Sequence, residues 1–240
     1  MIWWQPAARA LAELAPLLLC FVARRRDARA WASFLGFAGL FALNAWAVGA
    51  GSRVSIFDGE SWNWWGKLFS LAWGVGFVLL NPWLSRDELG WRRAPVAGSR
   101  RLVLGLVAIP LALRWFLSRV GRDGASRFDP ETFWYQATMP GLAEEVTYRG
   151  IFLALLRRAF PGRLVILGVA FSHGLLLSAL LFGLAHGMSW GGAAGLQFNM
   201  QKLVMTGAMG MLFGFIVERG GSLVPAIVLH NLYNLIVTQA

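Results

Sequence analysis

The chain has 240 residues, 57% of them hydrophobic and only 14% charged, with a mean hydropathy of +0.56. A soluble domain is about a quarter charged, and 13 Trp with 17 Phe are more apolar surface than one soluble core of this size can hide. The net charge of +10 does not point to nucleic acid, because the arginines sit in short loops between apolar runs and form no basic face.

Taken in chain order, apolar stretches of the ~20 residues that a spanning helix needs fall at 6–23, 30–50, 62–84, 102–120, 136–158, 164–188, 196–218 and 222–238. The expected fold is all-α: a polytopic membrane protein of about eight transmembrane helices. Residues 1–240 are expected to form a single integral membrane domain, in which 1–120 carry no motif and 130–240 carry the chemistry. No period-two alternation runs through these stretches, so strands are not expected. The first segment begins MIWWQP without a basic lead, and ARRRDAR follows it. That order predicts a retained first helix with its N-terminus outside. It contains the single cysteine, Cys20, read as a small buried apolar residue. The sixth segment is long, and a break is expected near His173.

Loop charge supports the count. One set of loops holds Arg24, Arg25, Arg26, Arg29, Arg86, Arg92, Arg93, Arg100, Arg101, Arg157, Arg158, Arg163 and Arg219; the alternate set holds only Arg53, Arg119, Arg122 and Arg127. Positive residues mark the cytoplasmic side, which places both termini outside.

Few ionisable groups lie within the segments. Lys67, Arg114 and Lys202 are near segment ends, where long side chains reach the interface. Glu144, Glu145, Arg149, His186 and His230 lie deeper. A charge at bilayer depth costs at least ~2.5–3.5 kcal/mol and normally faces a bundle interior or a wet cavity. In GLAEEVTYRGIF, residues 141–152, Glu145 and Arg149 are four apart and pair along one helix face, while Glu144 points about 100° away. In LLFGLAHG, residues 180–187, Phe182 and His186 share a face. In VLHNLYN, residues 228–234, His230 and Asn234 bring an imidazole and an amide together. Such a pair could hold a water, a metal or a developing oxyanion, or could simply glue two helices.

Glu-Glu-x-x-x-Arg, then Phe-x-x-x-His, then His-x-x-x-Asn, on three separate helices, resemble the CPBP family. That family comprises CAAX-processing and bacteriocin-processing intramembrane proteases, related to the type II CAAX prenyl endopeptidase. The resemblance runs from about Glu144 to Asn234. It implies a bundle of helices around a water-filled catalytic cavity, in which a peptide bond of a membrane-associated protein or peptide is hydrolysed. Carried onto this sequence, Glu144 is the catalytic glutamate and His186 helps it orient and deprotonate a water. His230 and Asn234 steady the oxyanion. Glu145 and Arg149 are a supporting ion pair, and Phe182 packs beside the site. The resemblance leaves two chemistries open: a glutamate-activated water with no cofactor, or a divalent metal such as zinc held by Glu144, His186 and His230. The absence of an HExxH helix favours the first.

His173 matches no motif and is read as structural or as marking a helix break. The glycine-rich segment GMSWGGAAGLQFNMQK, residues 187–202, is either a gate beside the site or an ordinary outside loop. By the loop count, Glu144 and His186 lie in the outer half of the membrane. This favours a substrate presented from the outer side of a bacterial inner membrane, such as a C-terminal sorting tail or a secreted peptide. Two other classes stay open. An ion- or proton-coupled transporter would use the same groups as a relay, and a non-catalytic immunity or partner-binding protein would keep the fold alone.

Overall fold

The computed structural model describes residues 5–23, 27–54, 60–120, 128–190 and 195–239. The N-terminal residues 1–4, the loop arginines Arg24, Arg25, Arg26, Arg122 and Arg127, and residues 191–194 of the glycine-rich segment lie outside the described residues. Helices α1 to α4 span Gln5–Val22, Ala28–Gly51, Trp64–Leu80 and Arg100–Arg119. Helix α5, Pro130–Glu144, runs on through a π-helical stretch, Glu145–Phe152, into α6, Leu153–Ala159. Helices α7 (His173–Gly187), α8 (Met200–Gly220) and α9 (Val224–Gln239) follow.

Each predicted segment therefore contains a helix, and the protein is mostly helical. Length and composition fit three of these elements to cross a membrane: Ala28–Gly51, Ala97–Arg119 and Met200–Gly220. Trp64–Leu80, His173–Gly187 and Val224–Thr238 are shorter apolar helices. Eight spans are therefore more than length and composition establish.

Two short hairpins correct the purely helical expectation. Strands β1 (Arg163–Ile166) and β2 (Val169–Ser172) pair antiparallel, with Ile166 opposite Val169. Strands β3 (Met188–Trp190) and β4 (Leu196–Phe198) pair likewise. The predicted sixth helix, 164–188, is thus a hairpin followed by a helix. A short apolar run does not by itself distinguish strand from helix, and here a Leu-Gly turn with positive φ at both residues folds the run back. The break falls at His173, as expected. Ser172 caps α7 by accepting from the Leu175 N–H at 3.0 Å, and the His173 N–H closes the hairpin base on the Gly162 carbonyl at 3.1 Å. Gly162 has φ +124, and a Cβ there would stand 2.9 Å from the His173 ring. Cys20 corrects another expectation: it is exposed on α1.

The chain divides into two compact units interleaved in sequence, Met1–Trp46 with Ile151–Phe215, and Ala47–Gly150 with Ile216–Ala240. The first is held by aromatic packing. Phe21 stacks on Phe34 at 4.3 Å and meets Trp31 and Phe160 edge-on at 4.8 and 5.4 Å. Phe37, Phe41 and Phe152 pack mutually at 5.6–5.7 Å. Glycines let its helices close up: a Cβ at Gly187 would lie 2.5 Å from Leu203, and one at Gly174 would lie 2.6 Å from the Arg157 backbone nitrogen.

The second unit packs α5 between α3 and α9. Glu131, in the first turn of α5, accepts from the Ser61 and Trp62 N–H groups and from the Trp64 indole at 3.1–3.2 Å. The Trp62 indole donates to Thr132 Oγ1 at 2.8 Å, and its ring stacks on Tyr135 at 4.9 Å. These contacts fix the start of α3 against α5. On the other side, Pro140 lacks an N–H, and the Gly141 N–H after it donates to Asn231 Oδ1 on α9 at 2.7 Å. A Cβ at Gly141 would stand 2.6 Å from that same oxygen. Glycine is what lets α5 and α9 approach, three residues before the paired glutamates.

Candidate active site

The sequence places two carboxylates in succession where α5 becomes π-helical. The wider π-turn is a feature that recurs at functional sites. Thr147, fully buried, donates its hydroxyl to the Ala143 and Glu144 carbonyls at 2.9 and 3.2 Å, taking up acceptors where the ladder changes pitch. Glu145 and Arg149 are both 0% exposed. Their ion pair, predicted from the spacing of four, is present: Arg149 Nε lies 3.2 Å from Glu145 Oε2.

The other oxygen of Glu145 has a partner that spacing alone did not predict. Glu145 Oε1 lies 2.7 Å from His230 Nδ1 on α9. An ionised carboxylate only accepts, so Nδ1 carries the proton and Nε2 is turned the other way. His230 Nε2 lies 4.0 Å from Glu144 Oε2. The imidazole therefore stands between two carboxylates, oriented by Glu145 and presented towards Glu144. In the neutral ring Nε2 is an acceptor. As the imidazolium it donates from both nitrogens.

Glu144 is buried but is not left without a cation. Lys67 Nζ, on α3, forms a salt bridge with Glu144 Oε1, and both side chains are mostly buried. This corrects the reading of Lys67 as an interfacial snorkelling residue. Each of the adjacent glutamates thus has its own cation, Arg149 from the same helical run and Lys67 from another helix. A buried charge is tolerated when it is paired.

Asn234, the predicted partner of His230, lies on α9, where its backbone carbonyl accepts from Thr238 Oγ1 at 2.9 Å. The amide that ties α9 to α5 is that of Asn231, which also donates from Nδ2 to the Thr138 carbonyl at 3.3 Å. Sequence reasoning missed Asn231. The signal for it was the Pro-Gly pair in mid-helix, where the proline interrupts the helical ladder and the glycine admits a side chain from a neighbouring helix.

His186 and Phe182 form a second group, in the first unit. Their rings lie 4.4 Å apart, tilted by 50°. His186 Nδ1 lies 2.8 Å from the Phe182 carbonyl. A carbonyl can only accept, so Nδ1 is the donor and Nε2 of the neutral ring is the basic nitrogen. Arg9 on α1, paired with Glu13 at 2.9 Å, donates Nη2 to the Ala185 carbonyl just before His186. Neither Arg9 nor Glu13 was singled out from the sequence, because they lie in an otherwise apolar run. In the glycine-rich segment, Asn199 caps α8 by accepting from the Lys202 N–H at 2.9 Å.

Among the described residues no group of three or more His, Cys, Asp or Glu side chains is arranged to hold a metal ion. Glu144 and His230 Nε2 would be two donors of the predicted set.

No curated protein and no solved structure is matched by the chain. Residues 130–236, the stretch that holds all three motifs, match the family model described as Type II CAAX prenyl endopeptidase Rce1-like, which supports an intramembrane peptide hydrolase at the level of the family.

Proposed function

We propose that the protein is an intramembrane endopeptidase in which Glu144 activates a water. The observation that carries this reading is the arrangement Glu145–His230–Glu144. A buried imidazole is fixed at Nδ1 by one carboxylate and presents Nε2 to a second at 4.0 Å. The Glu145–Arg149 ion pair does not require a second carboxylate facing that nitrogen, whereas a carboxylate beside an imidazole is an arrangement that general acid–base chemistry uses.

In the proposed reaction Glu144 takes a proton from water while its oxygen adds to the scissile carbonyl carbon. The tetrahedral oxyanion is met by the ring of His230 and the amide of Asn234. Glu144 then returns the proton to the leaving nitrogen as the oxyanion collapses and the C–N bond breaks, leaving a carboxylic acid and an amine. Lys67 holds Glu144 in place and balances its charge. His186, whose basic nitrogen is defined by the Phe182 carbonyl, is assigned on the family motif to orienting the water. The alternative that the family resemblance leaves open, a divalent metal on Glu144, His186 and His230, is separated by chelation before the assay. The substrate class is a protein or peptide associated with the membrane. A C-terminal sorting tail or a secreted peptide at the outer face of a bacterial inner membrane is the proposal that follows from the arginine distribution, with residues 130–240 as the catalytic core.

The test compares terminal peptides by mass spectrometry from cells expressing wild type or Glu144→Gln. New termini found only with wild type support the proposal. Matched peptidomes, with both proteins folded and expressed, would shift the weight to transport or to partner binding.

A further inference from the structure

The β1–β2 hairpin belongs to no motif. It sits between α6 and α7, and its tip is Leu167 and Gly168, the two central residues of a two-residue turn with φ +49 and +78. Such turns need positive φ at both positions, which glycine, asparagine and aspartate adopt readily and leucine does not. A leucine kept there against its backbone preference points to a role for its side chain. Leu167 is nevertheless 99% exposed, so it packs on none of the described residues.

The strands behind the tip repeat the anomaly. Alternate residues of a strand face opposite sides, so Leu164 and Ile166 lie on one face, Val165 lies on the other, and Leu167 stands at the turn beyond them. All four are exposed, as is Val169 opposite Ile166. A hairpin in water shows one apolar face at most, and a docked protein covers one face. Apolar residues on both faces and at the tip need an apolar medium around them. Helix α7 supplies a further reason. Its 15 residues rise ~22 Å, short of the ~30 Å hydrocarbon core, and the hairpin continues the same apolar run.

We propose that the β1–β2 hairpin is a membrane-interface anchor that dips its Leu167 tip into the lipid. Its depth is bounded by its own backbone. A two-stranded hairpin has outward N–H and C=O groups along both edges, which the hydrocarbon core does not tolerate. The tip therefore rests at the boundary of headgroups and acyl chains, and the exposed Arg163 at the open end meets lipid phosphates.

The test uses the full-length protein in liposomes containing anionic lipid, with Cys20→Ser so that a spin label reports one site. Labels at Leu167→Cys and Val165→Cys sample the tip and one face, and Arg86→Cys in an exposed loop is the aqueous reference. Accessibility to oxygen, which concentrates in lipid, and to a water-soluble nickel chelate is read by electron paramagnetic resonance. Both hairpin labels are expected to be reached by oxygen and to be several-fold less accessible to nickel than the reference. Leu167→Asn, which suits the turn better than leucine, should move the Val165→Cys label towards water without unfolding the protein. Nickel accessibility equal to the reference would overturn the proposal. So would shielding from both reagents, which would mean that a protein covers the hairpin.

Discussion

The two units hold themselves together by different means. In the first, Phe21, Phe34, Phe37, Phe41, Phe152 and Phe160 form a continuous aromatic packing of stacked, tilted and edge-on rings. In the second, the buried centre is Lys67, Glu144, Glu145, Arg149 and His230. Aromatic packing is tolerant, since any well-filled apolar arrangement stabilises it. A buried charged cluster has no such tolerance, because removing one member strands another. A buried cluster of this kind is costly as a purely structural device, and ionisable groups that interact out of water gather at functional sites.

The largest expected effect separates chemistry from stability. Glu144→Gln keeps the shape of the side chain, so the protein should still fold, while turnover of a cleaved substrate falls by about 10²–10⁴-fold, the worth of a general base. Next come two truncations of similar thermodynamic size but opposite functional meaning. Glu145→Ala removes the ion-pair partner of Arg149 at Nε and the hydrogen-bond partner of His230 at Nδ1. It should cost about 3–5 kcal/mol and abolish turnover in whatever fraction stays folded. Phe37→Ala should also cost about 3–5 kcal/mol, yet leave turnover per folded molecule near wild type. Thermal unfolding in detergent alongside normalised activity reads both, and equal functional losses would erase the distinction between the two regions.

A smaller effect is expected at Lys67. Lys67→Met should lower kcat by about 10-fold, the worth of one charge-assisted hydrogen bond, with little change in KM, and Lys67→Arg should restore most of it. The smallest concerns Asp129, the exposed cap of α5. The Thr132 side chain and backbone N–H hold its carboxyl below the usual carboxylate range. Its capping contribution is therefore complete above the ordinary carboxylate pKa and disappears as the pH falls through the lowered one. An NMR titration of the Asp129 side chain should show that downward shift in wild type and a smaller one in Thr132→Val, which loses the hydroxyl but keeps the backbone N–H.

Much of the second unit's centre could be read from spacing. Glu145 and Arg149 pair as four-residue neighbours should, and His230 is buried where an apolar helix would not otherwise place an imidazole. Lys67 could not be read this way, since nothing in a sequence joins positions 77 residues apart and its location near a segment end offered the simpler explanation of snorkelling. Asn234 stood out by motif spacing, whereas Asn231, whose amide bonds α5 at Gly141, belongs to no motif and did not. The β1–β2 hairpin was hidden for a different reason. Leu, Val and Ile satisfy a helical reading and a strand reading equally, and the Leu-Gly turn carries none of the usual Asn-Gly signal. The helices themselves were legible from apolar run lengths, which are set by the membrane more than by local propensity.

The central claim is that Glu144 directs a water onto a peptide bond. It is tested most directly by incubating the purified protein in liposomes with membrane proteins from cells lacking it, in water enriched in heavy oxygen. The account predicts new C-terminal carboxyl groups carrying the heavy isotope with wild type and none with Glu144→Gln. Labelled termini formed equally by both proteins, or by neither while the wild type is folded and active in cells, would contradict it.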